Sequence, residues 1–223
     1  MKESNNKEIS YKDIDSRRYS KYCYSFVKRL FDIVFGLLGT ILLIPIYICV
    51  KIAYICHKDF YPVIFRQARI GKNGKTIRMF KFRSMVPNAD DMLKDLLDKN
   101  PDMALEYKTN KKLRNDPRIT KVGAFIRKTS IDEMPQFLNV LWGSMSLIGP
   151  RPYLHREIDD MGLYYDDIIA VKPGITGYWQ VNGRSDESFA NRLKFDLHYI
   201  ENYGYKLDFK IFWKTFKALL KGM

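Results

Sequence analysis

Cysteine and histidine are scarce in this chain, three of each in 223 residues. Cys23, Cys49 and Cys56 cannot form an even disulfide framework, so a reducing compartment is the default. His57, His155 and His198 lie far apart, without the spacing of metal ligands. The usual nucleotide cradles, Gly-x-x-x-x-Gly-Lys-Ser/Thr and Gly-x-Gly-x-x-Gly, are absent. So are internal repeats and low-complexity tracts. A mean hydropathy of −0.30 excludes a transporter of many spans. The composition, 46% hydrophobic and 28% charged, excludes disordered and collagen-like chains. Acidic residues are also short, 25 against 38 basic ones, a net charge of +13. Polyanions and anionic membrane surfaces are the usual partners of such a charge.

What is there is unevenly placed. Residues 17–85 hold 14 basic and two acidic residues, and the last twenty hold five Lys and one Asp. The long middle is close to neutral. Between the early charges lies one uncharged run, Ile33 to Val50, of 18 residues. As a helix it measures ~27 Å, near the ~30 Å hydrocarbon core of a bilayer. The run is apolar on every face, which favours a membrane helix over a buried core helix. It either spans the bilayer or dips in and returns. Arg17, Arg18, Lys21, Lys28 and Arg29 precede it, and Lys51, Lys58, Arg66, Arg69 and Lys72 follow it. The positive-inside bias asks both flanks to stay cytoplasmic. Pro45 removes an N–H and clashes with the carbonyl of Ile41, so it predicts a kink or break. Both features favour a re-entrant helix. At the other end, Lys206, Lys210, Lys214, Lys217 and Lys221 recur at helical spacing opposite Phe209, Phe212, Trp213, Phe216, Leu219 and Leu220. That is the pattern of an interfacial anchor, and equally of a packed helix with a lysine-rich wet face.

The rest reads as a small α+β domain rather than a doubly wound sheet. Residues 63–69 predict a strand, Asn73-Gly74 a hairpin turn and residues 75–85 the returning strand. Residues from Asn88 predict an amphipathic helix, and Pro101 opens another to about Lys112. Residues 122–128 predict a short helix or strand, and 130–141 a helix. Gly149 to Pro152 reads as a rigid turn, and Pro173-Gly174 as another. The expected organisation is a polar tail over 1–25, a re-entrant membrane helix over 26–60 and a cytoplasmic catalytic domain over 61–223.

The chemistry-bearing stretch is Arg127-Lys-Thr-Ser-Ile-Asp-Glu-Met-Pro135. Ser130 and Glu133 have capping-box spacing, which puts Asp132 and Glu133 at a helix start. Adjacent carboxylates can share a Mg²⁺, which takes oxygen ligands and substrate phosphates. Arg127 precedes them, Pro150 and Arg151 come from the rigid turn, and Lys81 and Arg83 from the returning strand. Arginine forks match phosphate. Carboxylates with cations and no other catalytic group suggest metal-assisted phosphoryl chemistry, in which a carboxylate can attack phosphorus. Helix capping and solvated charge are the plainer readings of each piece alone.

Several ordered motifs together resemble the bacterial sugar transferases, the monotopic polyprenyl-phosphate phosphoglycosyl transferases. They are Lys28-Arg-Leu-Phe-Asp32, Phe65-Arg-Gln with Arg69-Ile-Gly-Lys-Asn-Gly74, Lys81-Phe-Arg-Ser-Met85 and Asn115-Asp-Pro-Arg-Ile-Thr120. Arg127 to Pro135, Ser144 to Pro152 and Pro173 to Arg184 continue the likeness, which covers about residues 26 to 221. The resemblance implies transfer of a sugar 1-phosphate from a UDP-sugar to undecaprenyl phosphate, with release of UMP. It implies Mg²⁺, a covalent phospho-sugar and a re-entrant helix at the cytoplasmic face of a bacterial inner membrane, and the basic excess fits anionic lipid there. By position it makes Asp132 the nucleophile and Glu133 a metal or proton partner. Lys81, Arg83, Arg127, Pro150 and Arg151 become substrate-binding residues, and Asp196 and Asp208 late acidic members of the site. Residues 88–112 resemble an insertion of the hexose-1-phosphate branch, which favours galactose or glucose. Ile44 stands before Pro45 where relatives often carry Ser. The likeness leaves a homodimer open. A non-catalytic membrane-surface module is the rival reading. A nucleic-acid binder is weaker, since no basic platform interleaved with aromatics occurs.

Overall fold

A computed structural model of the chain describes residues 11–183 and 187–220, with side chains from residue 22 to 218. Lys221 and Arg184 lie outside the described residues. The order is α1 (Tyr11–Cys56), β1 (Ile64–Ile70), β2 (Thr76–Phe82), α2 (Ala89–Lys99), α3 (Pro101–Asn110), α4 (Lys121–Lys128) and α5 (Gln136–Trp142). There follow β3 (Ser146–Ile148), the short α6 (Ile158–Met161) and α7 (Tyr165–Ile169), β4 (Gly174–Thr176), α8 (Tyr178–Asn182), α9 (Phe189–Asn202) and α10 (Tyr205–Leu220). The α+β expectation holds at this level.

α1 has 46 residues and continues unbroken through Pro45. Any change of direction there is a bend within one helix, not a break. The Thr40 hydroxyl donates to the Gly36 carbonyl at 2.7 Å, a back-bond of the kind that bends helices. Among the described residues one helix, Tyr22–Cys56, is long and apolar enough to cross a membrane. Phe26, Leu30, Leu37, Ile41, Ile44 and Ile48 on it are exposed. Its other face, with Asp32, Leu43, Val50 and Tyr54, is buried against the domain. Their recurrence at eleven, seven and four residues is the inward stripe of one helix.

Polar pins fix that stripe. Arg29 donates to the Val140 and Leu141 carbonyls at 2.7 and 2.8 Å, satisfying the C-terminal end of α5. Buried Asp32 accepts from Ser146 Oγ at 3.0 Å and from the Leu147 N–H at 2.8 Å. Lys28 pairs with Asp208 at 2.5 Å. Two cations that the sequence assigns to the membrane flank therefore work inside the protein. The helix can approach α5 this closely because Gly39 has no side chain. A Cβ there would lie 2.2 Å from the Phe137 ring. Gly39→Val should lower stability by about 1–3 kcal/mol through overpacking. Thermal melting of the full chain in detergent micelles checks this; an unchanged midpoint would count against the close approach.

β1 and β2 form an antiparallel hairpin in which Phe65 faces Lys81 and Ile70 faces Thr76. Its turn is a single helical turn over Lys72–Gly74, with Asn73 in the left-handed region. β3 and β4 form a separate parallel pair, Ser146 beside Gly174 and Ile148 beside Thr176. The sequence reads only turns at Gly149 and Pro173, because three-residue strands carry no period. α4 starts on Thr120, whose hydroxyl accepts from the Gly123 N–H at 2.9 Å.

Residues 130–141 are not one helix. Ile131–Glu133 form a single tight turn, and α5 begins only at Gln136. Ser130 takes a left-handed conformation and its side chain does not cap the turn, so the capping box is not formed. The physical reason is Glu133, whose carboxylate is drawn to Lys81 on β2 and does not turn back onto its own backbone. α10 is helical as expected. Ile211 is buried, while Phe209, Trp213 and Phe216 are exposed. Phe212 packs edge-on against Phe31 and Phe35 of α1.

Candidate active site

Asp132 sits on the tight turn between α4 and α5 and is 9% exposed. Burial pushes its carboxyl up to about 6; the neighbouring Glu133 adds to this, while Lys81 and Arg127 hold it back. Glu133, partly exposed, accepts from Lys81 Nζ at 2.9 Å. Burial works to raise its pKa, but Lys81 outweighs burial, with help from Arg151 and Arg69, and the net shift is downward. Two adjacent carboxylates are thus held differently. One is tied to a lysine, and the other is buried.

Cations surround the pair. Arg127 donates from Nε to Ser84 Oγ at 2.8 Å, and its charge acts on Asp132. α4 can lie this close to Ser84 because a Cβ on Gly123 would meet the Ser84 carbonyl at 1.9 Å. Arg151 follows buried Pro150, whose carbonyl accepts from the Gly174 N–H at 2.9 Å. Its charge reaches Glu133. Buried Arg69 donates to Pro152 O at 3.0 Å and props the same turn from below.

The structure therefore brings together Lys81, Arg127, Asp132, Glu133 and Arg151. Arg83 and Asp208 lie outside this cluster, and Asp196 touches it through the Arg151 backbone. Arg83 uses its donors on Pro62 O, Met85 O and Asp59, at 3.0, 3.1 and 2.7 Å, and lies over the Tyr54 ring. It is a clasp between the end of α1 and the end of β2. Asp196 is 0% exposed, and one of its oxygens accepts from the Arg151 N–H at 3.1 Å and from Tyr153 Oη at 2.8 Å. Asp208 accepts from Tyr24, Lys28 and Tyr199, tying α1 to α9 and α10. Pro45 is exposed on α1, with no part in the cluster.

Sequence reasoning misses Asn139. Buried in α5, it accepts from the Phe80 N–H at 3.0 Å and donates to Arg78 O at 2.8 Å. It locks α5 to the strand that carries Lys81. A lone polar residue in the apolar run Phe137-Leu-Asn-Val-Leu141 is the one signal for it.

Among the described residues no group of three or more His, Cys, Asp or Glu could hold a metal. Asp132 and Glu133 fit Mg²⁺ only in the mode that uses one or two carboxylates and fills the remaining positions with water and substrate phosphate. The donor set on this turn suits that mode.

The model for bacterial sugar transferases matches residues 23–222. An undecaprenyl-phosphate galactose phosphotransferase of Salmonella typhimurium is 44% identical over 201 residues, 88% of this chain and 41% of that protein. An exopolysaccharide production protein, ExoY, of Sinorhizobium fredii is 38% identical over 192 residues, covering 86% and 84%. A UDP-glucose:undecaprenyl-phosphate glucose-1-phosphate transferase of Escherichia coli is 38% identical over 204 residues, covering 88% and 40%. The chain spans about two fifths of the first and third of these relatives and most of the second. A family match over nearly the whole described chain, around a buried aspartate ringed by cations, makes this chain a member of the bacterial sugar transferase family.

Proposed function

We propose that the chain transfers a hexose 1-phosphate, from UDP-galactose or UDP-glucose, to undecaprenyl phosphate. The observation that supports this best is the asymmetric pair, buried Asp132 beside Lys81-bound Glu133, under Arg127 and Arg151. An Asp132 oxygen attacks the sugar-bearing phosphorus. An acyl phosphate bond forms, the phosphoanhydride breaks, and UMP leaves with the bridging oxygen and its electron pair. An oxygen of undecaprenyl phosphate then attacks the same phosphorus, forming the lipid diphosphate sugar and returning the carboxylate. Arg127, Arg151 and Lys81 hold phosphate oxygens in line and neutralise their charge. Glu133 keeps Lys81 at the site until phosphate arrives. Mg²⁺, when held by Asp132 and Glu133, supplies further neutralisation of the diphosphate.

The membrane placement belongs to the same reading. α1 dips into the cytoplasmic leaflet with both ends cytoplasmic, supported by its exposed apolar face, by Pro45 within it and by the cations flanking its apolar run, Arg17, Arg18 and Lys21 before and Lys51 and Lys58 after. Exposed Phe209, Trp213 and Phe216, with Lys206, Lys210 and Lys217, make α10 an interfacial helix on anionic lipid. The name of the Sinorhizobium relative, an exopolysaccharide production protein, favours a role in making a surface polysaccharide, and transfer to the lipid carrier would start its repeat unit. The test is UMP release from a panel of UDP-sugars with undecaprenyl phosphate and Mg²⁺. Release from UDP-galactose or UDP-glucose is expected. No release from any donor would favour a non-catalytic membrane module.

A further inference from the structure

Arg151 has to be aimed at phosphate, yet no carboxylate among the described residues pairs with its side chain. Its guanidinium instead lies over the Trp179 ring of α8, 5.6 Å from the centre. A second guanidinium, that of buried Arg192 on α9, lies over the same ring at 5.4 Å. Arg192 is itself fixed. It donates to the Glu187 carbonyl from two nitrogens, at 3.1 and 2.9 Å, and to the Asn110 carbonyl at 3.2 Å. Asn110 is the last residue of α3, so a line of contacts runs from the α2–α3 hairpin through Arg192 and Trp179 to Arg151.

An aromatic partner does for Arg151 what a carboxylate cannot. A carboxylate would orient the guanidinium but neutralise it and occupy its N–H groups. A ring face orients it by attraction to the quadrupole and leaves charge and donors free for phosphate. The second arginine against the same ring adds like charge close by, which favours an arriving anion. Burial and the nearby Arg151 both lower the Arg192 pKa, in keeping with that crowding. We infer that Trp179 is a positioning residue, which holds the Arg151 guanidinium beside Glu133 for the diphosphate of the donor and is backed by Arg192 from the α3 end. The inference rests on the reading of the donor as a UDP-sugar.

The test is UDP binding by the full chain in detergent micelles with Mg²⁺, measured by calorimetry, with melting recorded for each variant. Trp179→Leu is expected to weaken UDP binding about tenfold, the scale of one partly desolvated cation–π contact. Trp179→Phe keeps a ring face and should stay within about threefold of the parent. In an Arg151→Ala background, Trp179→Leu should add nothing. Undiminished UDP binding by Trp179→Leu would overturn the inference. So would a loss that adds fully to that of Arg151→Ala, or a Trp179→Phe variant as weak as the leucine one. If the leucine variant does not fold, Trp179→Met takes its place with the same criteria. Failure of the unaltered chain to bind UDP would overturn the donor reading instead.

Discussion

Asp132→Asn should abolish turnover and leave the chain folded. UMP release is expected to fall at least ~10³-fold, the scale on which removal of an attacking group acts. The substitution keeps the shape of the side chain and removes only its charge. Since Asp132 is buried and burial already opposes its ionised form, the neutral amide should cost no stability. Glu133→Gln is the control. It loosens Lys81 but leaves the attacking oxygen in place, so its loss should be smaller. Two measurements decide the assignment. One is UMP release, and the other is mass spectrometry of protein mixed with UDP-hexose without the lipid acceptor. A phospho-hexose adduct on the parent chain and none on the asparagine variant is expected. Retained UMP release by a folded Asp132→Asn variant would remove Asp132 from the role.

Much of this site is legible in the sequence because its members come in short, unusual strings. Asp132-Glu133 with Arg127, and Arg151 between two prolines, are visible without coordinates. Local signals likewise place β1, the Asn73-Gly74 turn, α2 and α3 to within one or two residues. What fails is whatever depends on a distant partner. Ser130 to Glu133 has the spacing of a capping box, and local propensity favours one long helix. Lys81, about fifty residues earlier, takes the glutamate and the helix starts late. The charge map is deceptive for the same reason. Lys28, Arg29 and Arg69 look like part of a membrane-facing excess and Arg83 like a phosphate ligand, yet each is committed to a partner inside the protein. The β3–β4 pair is invisible because two three-residue strands far apart in sequence gain their order from packing alone.

Asp196 gives the largest expected effect on stability, and its sign follows from its surroundings. It is fully buried on α9, facing Tyr153 and the Arg151 backbone, with the Arg151 charge as a favourable ionic neighbour. Burial pushes its pKa up to about 7, against the hydrogen bonds from Tyr153 and the Arg151 N–H. In the unfolded chain an aspartate ionises near 3.9. Between those values the folded state binds more protons than the unfolded one. The contribution of this group is therefore fully present at low pH, falls as pH rises through about 4 to 7, and is lost above. The gap between about 7 and about 3.9 corresponds to on the order of 4 kcal/mol across that window. Asp196→Asn should flatten this component, because its amide oxygen can still accept from Tyr153 and the Arg151 N–H without a charge to bury. Asp196→Ala should be destabilised at every pH by about 1–3 kcal/mol for each group left unpaired. Melting of the three proteins in micelles from pH 5 to 8.5 separates these cases. The parent-minus-asparagine difference should shift against the parent as pH rises, by several degrees for a domain of this size. A constant difference would mean that Asp196 stays ionised throughout and that the turn carrying Arg151 is held by a carboxylate rather than by a carboxylic acid.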